Sequence, residues 1–300
     1  MKTIYKKLLF VCLLFFLVIG IQYHGNIINI GTHISTKEAT KDYIVKVKTQ
    51  YKTLKVNLDD YLIGVLAGEM PVQFELEALK AQAVASRTFV LSRNLKVDNT
   101  TQSQVYLTKN QMKKNWGKNY QKYYQKIKKA ITSTHNQVMT YQGQYISALF
   151  FSSSNGKTVN SEDYFDGGKV AYLKAVDSHW DLTVDPHNRR SQTFSRQKLA
   201  SLLKVKISDL KITAYTESGY VKRVIVNDKS YTGRQIREKL KLPSSCFQIR
   251  LTSQGYTFIT NGNGHGVGMS QYGAQGMAKE NKDYQEILHH YYQNIKIQRI

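Results

Sequence analysis

The sequence predicts an α+β fold, with mixed strands and helices forming a groove, behind an N-terminal transmembrane helix. Three observations carry this reading. Strand-like and helix-like segments mix without regular alternation. Several alternating runs are joined by Gly- or Ser-containing turns. A lysine-flanked apolar run opens the chain.

That opening run sets the topology. Lys2, Lys6 and Lys7 precede apolar residues 8–21, and no Lys or Arg follows until Lys37. The asymmetry keeps the amino end in the cytoplasm and sends the rest across. Residues 4–23, with lysines snorkelling, give roughly the 20 residues that span a bilayer. No small-x-small cleavage site precedes GIQYHGN, so an uncleaved anchor is expected. The expected organisation is an anchor over 1–24, a polar tether over 25–42 and an extracytoplasmic domain over 43–300.

The domain elements follow in order. YIVKVKT and KTLKVNL alternate and read as two strands joined by a short turn. The run ending in GEMP and residues 75–93 read as helical. In the second of these, Leu76, Leu79, Ala83 and Val90 recur at helical spacing. Residues 109–131 read as a further helix, with Tyr120, Tyr123, Tyr124 and Ile127 as its apolar side. Strands are expected over 137–140 and 144–151. LKITAYTESGYVKRVIVND reads as a hairpin turning at Ser218–Gly219, and SYTGRQIREKLKL as a short helix closed before Pro243. FQIRLTSQGYTFITNG reads as another hairpin, turning near Gln254–Gly255. Ser270 is placed to cap the helix SQYGAQGMAKE. Asp283 is placed to cap the last helix, whose Ile287, Leu288 and Tyr291 point inward. No internal repeat is present.

Composition bounds the partners. The chain has 300 residues, 41% of them hydrophobic, enough to bury a sizeable core. Its net charge of +22 comes mainly from lysine. Such a surface attracts wall polymers, anionic lipid or nucleic acid. Nucleic acid is disfavoured, because no nucleic-acid motif accompanies the charge. Cys12 falls in the apolar run and Cys246 far downstream, so they form no internal disulfide, and Cys246 reads as a lone buried thiol.

Glu69 is the most informative residue. It sits in the apolar, glycine-containing run 63–70, immediately before Met70-Pro71. A carboxylate there loses water, which raises its pKa, as a general acid at neutral pH requires. The bland alternative is a solvated glutamate near a helix end. Arg87 falls on the buried stripe of the following helix. An arginine facing a core needs a carboxylate or substrate anion as partner, unless its stem snorkels outward. Glu75 and Glu77 are alternative carboxylates, but a charged first turn favours a solvated role.

Three blocks resemble one family. DYLIGVLAGEMPVQFELEALKAQAVASRTFVL, ALFFSSSNGKTVNSEDYFDGGKVAYLKAVDS and NGNGHGVGMSQYGAQGMAKENKDYQEILHHYY lie in the order of signatures found in the stage II sporulation protein D family. That family also includes amidase-enhancer proteins of bacterial cell walls. The resemblance covers roughly residues 50–295. It implies a lytic transglycosylase acting on peptidoglycan glycan strands during engulfment, with a preference for strands already stripped of stem peptides by an amidase. It places the catalytic Glu on Glu69 and the important Arg on Arg87, which would orient Glu69, bind the lactyl carboxylate of muramic acid, or do both. It puts the loop around His265 beside the catalytic groove.

In that loop, glycines at 262, 264, 266 and 268 permit tight turns. His265, Gly266, Ser270, Gln271 and Tyr272 are the expected substrate-binding residues. A loop needed only for folding is the alternative. GNGHGVG lacks the GK[ST] of a nucleotide loop. Glu162 and Asp163 read as solvated, Tyr164 and Phe165 as core, and His135 as a surface histidine. Some family members bind zinc through cysteines just before a QVY segment. Here VDNTTQSQVY has none, so no metal and no cofactor are expected.

The resemblance further implies an amidase partner, other engulfment membrane proteins, and a place in the mother-cell membrane facing the intermembrane space. A second function class stays open: a non-catalytic wall binder that stimulates an amidase.

Overall fold

The computed structural model describes residues 43–100, 103–165 and 167–300. The expected anchor and tether lie outside the described residues. Among those described, no helix is long and apolar enough to cross a membrane.

In chain order the elements begin with β1 (Ile44–Lys48), β2 (Thr53–Asn57), α1 (Leu58–Glu69), α2 (Leu76–Ser92) and β3 (Lys96–Asp98). Next come α3 (Lys109–Trp116), α4 (Tyr120–Ser133), β4 (Gln137–Tyr141), β5 (Gln144–Tyr145) and β6 (Phe150–Phe151). The middle holds α5 (Ser161–Tyr164), α6 (Asp181–Val184), β7 (Arg189–Phe194), α7 (Arg196–Leu203), β8 (Leu210–Tyr215), β9 (Val221–Val226), β10 (Lys229–Thr232) and α8 (Gly233–Leu240). The chain closes with β11 (Phe247–Thr252), β12 (Gly255–Asn261), β13 (Met269–Ser270), α9 (Gln271–Lys279), α10 (Tyr284–Tyr291) and β14 (Lys296–Arg299). Helices and short mixed sheets alternate irregularly, as an α+β reading requires.

The hairpins form as their sequence dictates. In β1, Val45 and Val47 point inward while lysines point out. β1 pairs antiparallel with β2 and parallel with β3. The β8–β9 hairpin turns through Gly219, whose φ of +79° suits glycine. β11, β12 and β7 form one antiparallel sheet. Two expectations are modified. The helix expected over 109–131 is broken at Gly117, where φ is +49°. The strand expected over 144–151 is reduced to β5 and β6, because β5 pairs with β4 while β6 leaves to pair with β13.

Two hydrophobic cores lie within the compact unit Tyr43–Ile300. The larger packs α1, α2, α4, α9 and α10 around residues such as Leu62, Leu79, Ile127, Ala274 and Ile287. The smaller fills the space among β7–β9, α7, α8, β11 and β12 with Leu199, Val224, Ile236 and Phe258. Arg237 crosses from α8 to the larger core, donating to the Tyr164 hydroxyl at 2.7 Å.

A buried carboxylate ties the central and C-terminal blocks together. Asp181 accepts from the Ser154 amide at 2.9 Å and from the hydroxyls of Ser154, Ser178 and Ser270 at 2.5, 2.8 and 2.6 Å. Four donors satisfy an acceptor-only group that has no access to water. Asp181→Ala strands those donors. At about 1–3 kcal/mol per buried unsatisfied group, the variant is expected to lose roughly 3 kcal/mol or more, read as a lower urea midpoint.

Candidate active site

Glu69 is the last residue of α1. Asn57 caps the start of that helix through its side chain, and Pro71 follows its end. Leu58, Tyr61, Leu62, Ile63, Val65 and Leu66 bury most of the helix surface and fix its direction. The carboxyl of Glu69 therefore emerges, half-buried, at the C-terminal end of a fixed rod. Its last turn carries no basic residue. The partial negative charge of the helix end also disfavours a carboxylate there.

One strong contact holds it. The Val105 amide donates to Glu69 Oε1 at 2.6 Å. Burial raises the Glu69 pKa and the Val105 hydrogen bond opposes part of that rise. No other charged group acts on it among the described residues. Tyr61 stands nearby: burial first, and then the charge of Glu69, push its phenol far above the usual range. Its hydroxyl donates to Gln104 Oε1 at 2.8 Å, and its ring stacks on Tyr106 with centroids 5.7 Å apart.

The segment that supplies Val105 docks on two glycines of α1. The Leu107 amide donates to the Gly64 carbonyl at 3.0 Å. A Cβ on Gly64 would lie 2.4 Å from the Tyr106 ring, and one on Gly68 would lie 2.6 Å from the Val105 carbonyl. Gly68→Ala is expected to push this segment away. A strained close approach of this kind costs typically 1–3 kcal/mol. The shift is also expected to loosen the hold of the Val105 amide on Glu69.

The loop after Glu69 is pinned from two sides. Met70, Val72 and Phe74 are buried. Lys126 of α4 donates to the Phe74 carbonyl at 2.5 Å, and Gln275 of α9 accepts from the Glu75 amide at 2.6 Å. Tyr272 meets the edge of Phe74 at 5.1 Å between centroids. The C-terminal block thus braces the Glu69 loop.

Arg87, expected beside Glu69 or a substrate anion, is placed elsewhere. It is fully buried at 1% exposure. Its guanidinium donates to the carbonyls of Thr134 at 2.8 Å, Gln137 at 3.1 Å and Ile131 at 3.4 Å. These lie at the carboxy end of α4 and the start of β4, where the helix dipole attracts a cation. Burial lowers its pKa to about 10, and the charge of Asp59 opposes this. Asp59 sits at the start of α1. Ten residues of helix rise about 15 Å, so Arg87 serves the opposite end of α1 from Glu69.

The glycine-rich loop is likewise turned inward. His265 Nδ1 accepts from the Val267 amide at 3.0 Å, and the ring packs among Phe151, Tyr164 and Phe165. Burial and then Arg237 lower its pKa to about 4, so the ring is neutral. The unfolded chain protonates near pH 6.5. Stability is therefore expected to fall as pH drops from about 6.5 toward 4, and His265→Phe is expected to flatten that slope in urea titrations.

Gly266, with φ of +84°, leaves room for the Tyr220 ring, which a Cβ would meet at 2.8 Å. The Ser270 hydroxyl accepts from the Gly273 amide, capping α9, while donating to Asp181. Gln271 donates to Gln82 of α2 at 3.3 Å. Of the five residues expected to bind substrate, Tyr272 is the one placed against the Glu69 loop by direct contact.

Glu77, expected to be solvated, is partly exposed and also bonded. It accepts from the Tyr284 amide at 3.1 Å and from Lys80 at 2.6 Å. Glu162 and Asp163 pair with Lys174 and Lys222. Tyr164 is buried, and Asp283 caps α10 as anticipated. Burial pushes the partly buried Cys246 thiol up to about 11.

A family model described as "Stage II sporulation protein" matches residues 47–141, spanning Glu69 and Arg87. The chain is 41% identical over 282 residues to stage II sporulation protein D of Bacillus amyloliquefaciens, covering 89% of this chain and 81% of that one. The chain belongs to the stage II sporulation protein D family. A second member, stage II sporulation protein D of Bacillus subtilis (strain 168), is 39% identical over 291 residues, with 89% and 84% covered. An amidase enhancer of the same organism is a more distant relative, 29% identical over 289 residues, with 77% and 39% covered. Membership of the sporulation protein D family places this chain among proteins of sporulation.

Two parts of the Glu69 site were missed from sequence. The Val105 amide is a backbone group that no residue code announces. Gln104 and Tyr106 lie in the QVY segment, whose residue types alone give no sign that it packs beside Glu69. The spacing of Gly64 and Gly68, one helical turn apart, was the available signal for a segment docked on α1.

Proposed function

We propose that this sporulation protein D family member is a lytic transglycosylase. It cleaves the bond between N-acetylmuramic acid C1 and N-acetylglucosamine O4 in peptide-free peptidoglycan strands. The observation that carries this reading is the lone carboxyl of Glu69, with its raised pKa and no charged neighbour acting on it among the described residues.

An ordinary glycosidase uses two carboxyl groups, an acid and a nucleophile or base. A lytic transglycosylase needs one. Protonated Glu69 gives its proton to the glucosamine O4 as the C1–O4 bond breaks. The muramic C6 hydroxyl attacks C1 and closes a 1,6-anhydro ring. The Glu69 carboxylate takes the proton of that hydroxyl and is restored. The Val105 amide stabilises the carboxylate between these steps, while burial favours the acid before and after. Arg87 acts at a distance, by fixing α4 against α2.

The protein works outside the cytoplasm, held by residues 4–23 in the mother-cell membrane. The lysine asymmetry of the first 37 residues supports this. An amidase partner supplies the peptide-free strands, and other engulfment membrane proteins act alongside. The relative named amidase enhancer supports a second reading, in which this chain binds wall and stimulates an amidase without cleaving.

Residues 43–300 incubated with peptide-free strands distinguish the two by mass spectrometry. Anhydromuramic ends support the enzyme. Strand binding and amidase stimulation without such ends leave the enhancer.

A further inference from the structure

α3, the turn after it and α4 cover residues 109–133. This stretch holds eight lysines and no Asp or Glu. Met112, Tyr120, Ile127, Ala130 and Ile131 take its inner side. Lys126 is spent on the Glu69 loop. The other seven, at 109, 113, 114, 118, 122, 128 and 129, are exposed. None of the seven forms an ion pair among the described residues.

Rings stand between these cations and the core. Trp116, Tyr123 and Tyr124 are half-buried, with Trp116 edge-on to Tyr123 at 5.8 Å and Tyr124 against Tyr120 at 5.6 Å. Lys113 lies over the Tyr120 ring at 5.7 Å. Seven unpaired ammonium groups are held together although like charges repel. Burial lowers the pKa of Lys126, Glu75 opposes this, and the neighbouring charge of Lys122 adds a smaller lowering. The carboxylates on the packed helices are Asp59, Asp60 and Glu69 of α1 and Glu77 of α2, with Glu75 at the N-cap of α2. A fold gains nothing from such a face by itself, and a polyanion held against it relieves the repulsion.

We infer that the outer face of α3 and α4 docks on an anionic phospholipid bilayer. The cations spread over the outer sides of two helices, a broad surface that suits a planar partner better than a single strand. Lysines reaching outward from a layer of Trp and Tyr rings are the composition of a membrane interface. The length of chain before the unit agrees. Residues 25–42 extend at most about 60 Å, so a unit anchored through residues 4–23 stays within that reach of a bilayer. The charge argument stands without the anchor and without the chemistry of Glu69.

The test uses residues 43–300, the compact unit that contains both cores. Cosedimentation is measured with vesicles of one part phosphatidylglycerol to two of phosphatidylcholine, and with phosphatidylcholine alone. The variant combines Lys114→Gln, Lys118→Gln, Lys122→Gln and Lys129→Gln, all exposed, with an unchanged melting curve as the folding control. Each lysine near such a surface is worth about fivefold. The variant is therefore expected to bind phosphatidylglycerol vesicles several-hundredfold more weakly. Raised salt should abolish wild-type binding, and phosphatidylcholine alone should bind neither protein.

Equal binding by variant and wild type, or no wild-type binding to phosphatidylglycerol vesicles, overturns the inference. So does binding of peptide-free glycan strands through these lysines while the vesicles are ignored, which would give the face to the substrate. A Glu69→Gln protein is expected to bind vesicles as wild type does, so failure of the catalytic reading is seen separately.

Discussion

Glu69→Gln is expected to lower the formation of anhydromuramic ends by at least roughly 10²–10⁴-fold, the usual contribution of a positioned acid–base group. The amide cannot donate the proton that the leaving oxygen needs. The fold should survive, because Gln retains an oxygen to accept from Val105 at the position Glu69 Oε1 now holds.

Stability should move the other way. The folded Glu69 pKa is raised by burial, so the unfolded chain releases its proton first as pH rises. Wild type therefore loses stability from near the ordinary carboxylate pKa up through the raised folded value. Above that, the full penalty of a desolvated carboxylate is present. Glu69→Gln should be more stable than wild type at pH 8. The two should unfold at the same urea concentration below about pH 4, where both side chains are neutral. Urea titrations at the two pH values check this. An unchanged difference at both would mean that Glu69 is not desolvated in solution.

Arg87→Ala is expected to destabilise the protein by about 3–5 kcal/mol, the range seen when a buried, hydrogen-bonded charge is removed. It leaves a cavity between α2 and α4 and strips a donor from three carbonyls. Arg87→Lys should fall between, since one ammonium cannot reproduce the fork. Urea midpoints measure both. Activity should track the folded fraction. An Arg87→Ala protein with wild-type stability but no turnover would return Arg87 to the substrate.

The contrast between Glu69 and Arg87 marks what the sequence can reveal. Period and burial are local properties. The helix ending at Glu69, the stripe of α2 and the caps at Ser270 and Asp283 were therefore legible from residue order. A buried arginine was legible too, along with its need for a partner. The partner was not, because backbone carbonyls at a distant helix end carry no residue code. The substitution of Asp181 for solvent around Ser154, Ser178 and Ser270 was hidden for the same reason. It joins three segments that only the fold brings together. The setting of His265 was hidden too, because three aromatic rings, each ordinary in its own segment, converge on it.

The central claim is that Glu69 acts alone and that the attacking oxygen belongs to the sugar. Digestion of peptide-free strands in heavy-oxygen water tests it most directly. The account predicts muramic ends lighter by one water and free of heavy oxygen, formed by wild type and lost in Glu69→Gln. Reducing muramic ends that carry heavy oxygen would show that water is the nucleophile, and would contradict a one-carboxylate mechanism.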